Sequence, residues 1–220
     1  MVQTIAARMV VTIGCVILAL IAPPPPAVAA DRSVRIVALG DSLTAGLGLL
    51  RAAAFPERLE AALKAKGVAV EMSNAGVSGD TATDGLARLD WSVPDGTDAV
   101  IVELGANDAL RGVAPELTRA ALAGILDRLS ARRIAVLLTG MRAPPNMGPD
   151  YVRAFDAIFP ELAAAHDVVF YPFFLEGVAA DRTLNQPDGL HPTAQGVEII
   201  VQRILPKAEE LIARVNTKRD

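Results

Sequence analysis

Short apolar runs alternate along the chain with longer segments of helical spacing, and that alternation leaves few folds open. Residues 34–39, 68–72, 98–104, 134–139 and 168–171 read as strands. Residues 56–66 carry apolar side chains at Leu59, Ala62 and Leu63, with Gly67 behind them as a stop. Residues 115–130 open with a proline in the first turn, where its missing N–H costs nothing. Residues 151–165 have a helical pattern that Pro160 is expected to kink, and 193–215 one that Pro206 is expected to interrupt. The run 98–104 is almost wholly apolar, as expected of a strand covered on both faces. Strand–helix alternation with such strands predicts an α/β fold, a parallel sheet between helical layers.

The first thirty residues follow a different rule. Arg8 is their single charge, 9–22 is a nearly unbroken apolar run, and four prolines and Ala27-Val28-Ala29-Ala30 follow. A basic start, a short apolar centre and small residues before a polar one predict a signal peptide over 1–30, with the folded domain over 31–220. The apolar run has 14 residues, whereas a bilayer span takes about 20. The expectation is therefore a periplasmic or secreted protein with no stable membrane anchor after cleavage. The single cysteine, Cys15, lies within that run. The domain that follows thus has no thiol nucleophile, no cysteine metal ligand and no disulfide. Acids outnumber bases 25 to 21, so a nucleic-acid partner, which demands an excess of Lys and Arg, is not expected.

In an open parallel sheet, ligands sit beyond the carboxyl ends of the strands. The loops there are Gly40-Asp41-Ser42-Leu43, 74–80, Gly105-Ala106-Asn107-Asp108 and 140–144. Ser42 is the candidate nucleophile; a serine hydroxyl needs a base to take its proton. Only His166 and His191 offer an imidazole. His166 ends a helical stretch and reads as a helix C-terminal residue. His191 stands in Asp188-Gly189-Leu190-His191-Pro192, where one tight turn would lay Asp188 on the ring and fix its tautomer; an Asx turn closed by Pro192 is an equal reading. Gly79 offers an unobstructed backbone N–H and Asn107 a side-chain amide to a developing oxyanion, although a turn glycine and a strand-end cap are the plainer roles. Asp41, Asp80, Asp84 and Asp108 lie near the same loops, but no His-x-His or His-x-x-x-His spacing supports a metal, and no cofactor is expected. The loop 141–151 with Met147, together with Leu110 and Phe173–Phe174, supplies candidate apolar substrate contacts; core packing is the favoured role for the phenylalanines.

Taken together these segments resemble the SGNH hydrolases, also called the GDSL esterase family. Gly40-Asp41-Ser42-Leu43, Gly79 with its surroundings, Gly105-Ala106-Asn107-Asp108 and Asp188-Gly189-Leu190-His191-Pro192 are similar to four of its blocks, in order. The segments 102–112, 78–81 and 171–174 are most similar to the thioesterase I, arylesterase and lysophospholipase L1 group; Ala106 stands where relatives often have glycine. The resemblance implies a flavodoxin-like three-layer α/β/α fold with a five-stranded sheet. It implies hydrolysis of small acyl esters and thioesters without metal or organic cofactor. It further implies Ser42 as nucleophile, His191 as base, Asp188 as its orienter, and Ser42 N–H, Gly79 N–H and the Asn107 amide as oxyanion donors. A monomer is expected. A carbohydrate O-acetylesterase, or a non-catalytic lipid or glycan carrier on the same fold, are the alternatives.

Overall fold

The computed structural model describes residues 32–219; the expected signal peptide lies outside them. In chain order the elements are β1 (Val34–Gly40), α1 (Ser42–Ala45), α2 (Phe55–Ala65), β2 (Val70–Gly76), α3 (Ala82–Ala87), α4 (Leu89–Ser92), β3 (Ala99–Glu103), α5 (Ala106–Arg111), α6 (Pro115–Ala131), β4 (Ala135–Thr139), α7 (Pro149–Asp156), α8 (Ile158–Ala165), β5 (Val169–Tyr171) and α9 (Ala194–Arg219). All strand pairs are parallel, in the order β2-β1-β3-β4-β5. α2 and α9 pack together on one face, and α3, α6, α7 and α8 cover the other. This is the expected three-layer α/β/α, flavodoxin-like arrangement. β3 and β4 are buried at every position, which explains their uniformly apolar sequences. Phe55, packed edge-to-face on Phe174 at 5.0 Å, and Phe155 with Phe159 at 5.6 Å anchor the core.

Three segments differ from the reading of the sequence, each for a physical reason. β2 begins at Val70 because α2 ends in a Schellman turn, with Gly67 N–H on the Lys64 carbonyl and Val68 N–H on that of Leu63, so Val68 caps the helix. The same strand runs on through Asn74, Ala75 and Gly76, where a loop was expected. The segment 151–165 is two helices meeting at Ala157. Pro160 cannot donate to the carbonyl of Asp156, four residues back, and the break falls there. By contrast α9 passes Pro206 without interruption, held by its buried face of Ile200, Ile204, Ala208 and Leu211.

Sheet register positions the site. Gly40 at the end of β1 is level with Gly76 of β2 and with Glu103 of β3, so the loops leaving these strands emerge together. Strand order reverses between β1 and β3, the switch point at which such sheets form a crevice.

Candidate active site

β1 ends at Gly40, and Asp41 caps the helix that follows, its Oδ1 accepting the Leu43 N–H at 2.9 Å. Ser42 thereby becomes the first residue of α1, at the crevice. Asn107 arrives from the neighbouring strand. Gly105 adopts φ +114°, and a Cβ there would lie 3.0 Å from the Phe159 ring, so only glycine turns β3 straight into α5. The expected loop 105–108 is therefore mostly helix. His191 lies on the connection between β5 and α9. Gln186 N–H donates to the His191 carbonyl at 2.7 Å, and its side-chain amide donates to the Leu47 carbonyl at 2.7 Å. Gln186 thus ties the histidine loop to the loop after Ser42; without partners to read, nothing in the sequence marked it.

Ser42 Oγ lies 2.9 Å from His191 Nε2, across 149 residues of sequence. His191 Nδ1 lies 2.7 Å from Asp188 Oδ2. The other carboxylate oxygen, Oδ1, accepts the backbone N–H groups of Leu190 at 2.9 Å and His191 at 3.0 Å. The two alternatives left open for this segment coexist: the Asx turn is what aims the carboxylate at the ring. Those two backbone donors, with the imidazole, pull the Asp188 carboxyl down to about 2. An ionised Asp188 accepting from Nδ1–H leaves Nε2 as the acceptor facing Ser42. His166 is elsewhere, capping α8 with its N–H on the Leu162 carbonyl and Nδ1 3.6 Å from Asp127.

The Asn107 amide donates to Asp41 Oδ2 at 3.0 Å and to the Asp80 carbonyl at 3.1 Å. It therefore joins the end of β3 to the loop holding Gly79, which has φ +89°. Arg111 donates to the Gly79 carbonyl at 2.7 Å. Asp108 is structural, taking the Ala82 N–H and the Thr118 hydroxyl, each at 2.9 Å. Asp80 pairs with Arg88, whose guanidinium also donates to the Gly40 carbonyl at 2.8 Å. Asp84 completes a capping box with Thr81.

Two buried acids lie behind Ser42; of these the reading of the sequence weighed only Asp41. Asp41 and Glu103 are both fully inaccessible. Desolvation lifts Asp41 to about 6 and Glu103 well above the carboxylate range. The signal for Glu103 was present: it is the one ionisable residue within β3, whose every side chain is buried.

Ser42, His191, Gly79 and Asn107 border one cavity of about 410 Å³, walled by Leu43, Leu110, Met141, Pro144 and Phe173 among others. Leu110 stands half-exposed at its rim, and Arg142 lies over the Phe173 ring at 4.8 Å. Phe174 is core. Met147, an expected wall residue, is outside this lining and sits beside Gly112. A larger hollow of about 560 Å³ lies by the amino-terminal ends of β4 and β5, bordered by Ile134, His166, Val168 and Arg214, and takes in none of Ser42, Asp188 and His191.

A sequence model of the GDSL-like lipase/acylhydrolase family matches residues 38–199, from within β1 to the first turns of α9. The chain belongs to the GDSL-like lipase/acylhydrolase family. Its relatives include esterase TesA of Pseudomonas aeruginosa, 36% identical over 200 residues and covering 90% of this chain and 96% of that protein. They also include thioesterase 1/protease 1/lysophospholipase L1 of Escherichia coli, 38% identical over 187 residues, 84% of this chain and 87% of that one. Among solved structures, AlinE4, an SGNH-hydrolase family esterase, is 47% identical with a TM-score of 0.69, covering 81% of this chain and 96% of that one. The protein is accordingly a GDSL-type carboxylic ester hydrolase.

Proposed function

We propose that the protein is an exported serine esterase that cleaves acyl esters and thioesters through a Ser42–His191–Asp188 triad and an acyl-enzyme. The carrying observation is the unbroken chain of contacts from Ser42 Oγ to His191 Nε2 at 2.9 Å and from His191 Nδ1 to Asp188 Oδ2 at 2.7 Å. His191 takes the Ser42 proton as Oγ forms its bond to the acyl carbon, and the tetrahedral oxyanion gathers its charge. That proton then passes to the departing alkoxide or thiolate as the bond to the acyl carbon breaks. Water, deprotonated by the same imidazole, attacks the Ser42 ester and releases the acid, returning the proton to Oγ. The Ser42 N–H, the Gly79 N–H and the Asn107 amide receive the oxyanion; the planar Asn107 amide turns as a whole, and the hydrogen now on Asp41 Oδ2 is the one exchanged for the oxyanion.

The apolar wall with Leu110 and Phe173 fits an acyl chain, and relatives named as esterase, arylesterase and thioesterase agree with that class. Export rests on residues 1–30, read as a signal peptide ahead of a domain over 31–220. A folded Ser42→Ala protein should lose hydrolysis of p-nitrophenyl acyl esters by at least about 10⁴-fold. Wild-type turnover in that variant would refute the proposal, and an acyl-length series set against acetylated sugars tests the acyl class.

A further inference from the structure

The mechanism above leaves one buried group without a task. The Glu103 carboxyl lies beneath the turn that carries Ser42. Its Oε2 accepts the Thr44 hydroxyl at 2.8 Å and the Asp41 N–H at 3.4 Å. A Cβ on Gly40 would come within 2.7 Å of that oxygen. Its Oε1 is buried and has no donor. The Asp41 and Glu103 carboxyls lie against each other, the Asp41 N–H on Oε2, close enough to share a hydrogen bond if one of them is protonated. A bond between two carboxyl groups needs a proton on one of them, and the oxygen that no donor reaches is where it fits.

We propose that Glu103 is a positioning residue for the Asn107 donor: as a neutral acid bonded to Asp41, it keeps that carboxylate partnered when the Asn107 hydrogen swings to the oxyanion. The inference rests on the oxyanion role proposed for Asn107. In the resting site Asp41 Oδ1 holds the Leu43 N–H and Oδ2 the Asn107 amide. Catalysis takes the second of these away. A buried carboxylate that loses a donor and gains nothing resists that loss, so Asp41 alone would retain Asn107 and oppose turnover. With the Glu103 hydroxyl still on it, Asp41 releases the amide at small cost. Burial favours the neutral form of Glu103, and the Asp41 charge beside it acts in the same direction. The other groups around the pair leave this assignment in place. His191, when it carries the proton, favours the ionised form of Asp41. Arg88 spends its guanidinium on Asp80, Ser92 and the Gly40 carbonyl. Thr44 completes the surroundings of Oε2.

Infrared spectroscopy of the intact protein at about pH 8, above the value for Asp41, tests the protonation directly. The wild type should show the C=O stretch of a buried protonated carboxyl, shifting in D₂O, and Glu103→Gln should lack it. Absence of the band in wild type, or a spectrum that Glu103→Gln leaves unchanged, overturns the proposal. Kinetics test the positioning. Glutamine presents an oxygen where Oε2 stands and an N–H donor where Oε1 stands, so Glu103→Gln should keep kcat within about threefold. Glu103→Met cannot donate and should lose kcat about tenfold with KM unchanged, the scale of one buried hydrogen bond. Equal loss in both variants, or none in Glu103→Met, contradicts the inference. Failure of the triad reading would register separately, as undiminished turnover by Ser42→Ala, and failure of the Asn107 role as undiminished turnover by Asn107→Ala.

Discussion

Asp188→Asn should be a worse change than Asp188→Ala, and the reason lies in the Asx turn. In the wild type, Oδ1 receives two backbone N–H groups and Oδ2 faces His191 Nδ1. An asparagine here has one oxygen to place. Leaving it on the two backbone donors turns its NH₂ toward Nδ1, which must then accept. The ring proton is forced onto Nε2, where it points at Ser42 and blocks proton abstraction. Recovering the productive tautomer means rotating the amide, giving up both backbone bonds and setting N–H against N–H. Each lost bond is a factor of about five, and opposing donors add roughly another tenfold, so kcat should fall by about 10²–10³. Alanine imposes no tautomer. The Asp188 side chain is 44% exposed, so water can serve the freed donors, and kcat should fall about tenfold less than in Asp188→Asn. Steady-state hydrolysis of a p-nitrophenyl ester, with circular dichroism to verify folding, measures both. Asp188→Asn within about threefold of wild type, or more active than Asp188→Ala, would refute the reasoning.

Three further outcomes follow from the same geometry. Gly76→Ala should lower the urea midpoint, at a cost of about 3 kcal/mol, and reduce kcat. Its Cβ would lie 2.2 Å from the Ala45 nitrogen and 2.8 Å from the Asp41 carbonyl, main-chain atoms of the Ser42 turn; an unchanged midpoint contradicts this. Because Asp41 and Glu103 bind protons more tightly folded than unfolded, native stability should decline as pH rises from about 4 through the window up to the folded values. Chemical unfolding of Glu103→Gln should accordingly show a gain over wild type that widens between about pH 4 and pH 8, and a pH-independent difference would count against it. Leu110→Ala should raise KM about fivefold for longer acyl esters and leave acetyl esters unchanged, as about 1 kcal/mol of apolar contact is lost; equal effects on both would remove Leu110 from the acyl wall.

Much of this architecture is legible in the sequence, because the signals are local. Apolar runs separated by helical spacing produced the sheet and its layers, and the switch point drew attention to Ser42 and Asn107. The spacing Asp188-Gly189-Leu190-His191 anticipated a contact that one turn can make. What stayed hidden depended on long-range partners. Gln186 acquires its role only from the Leu47 carbonyl, 139 residues away. Asp41 and Glu103 matter because β1 and β3 lie side by side, which no window of sequence displays. Met147 was placed on the wall because its loop is apolar, yet the short turn before α7 directs it toward Gly112. Pro206 was read as a helix interruption by local rule, and tertiary packing of α9 overrode it.

Mass spectrometry of the protein after treatment with a fluorophosphonate addresses the heart of the account, an imidazole-activated hydroxyl at one residue. A single phosphonyl adduct mapped to Ser42, absent from Ser42→Ala and strongly slowed in His191→Ala, is the predicted result. An active wild-type enzyme that acquires no adduct, or carries it on another residue, would contradict it.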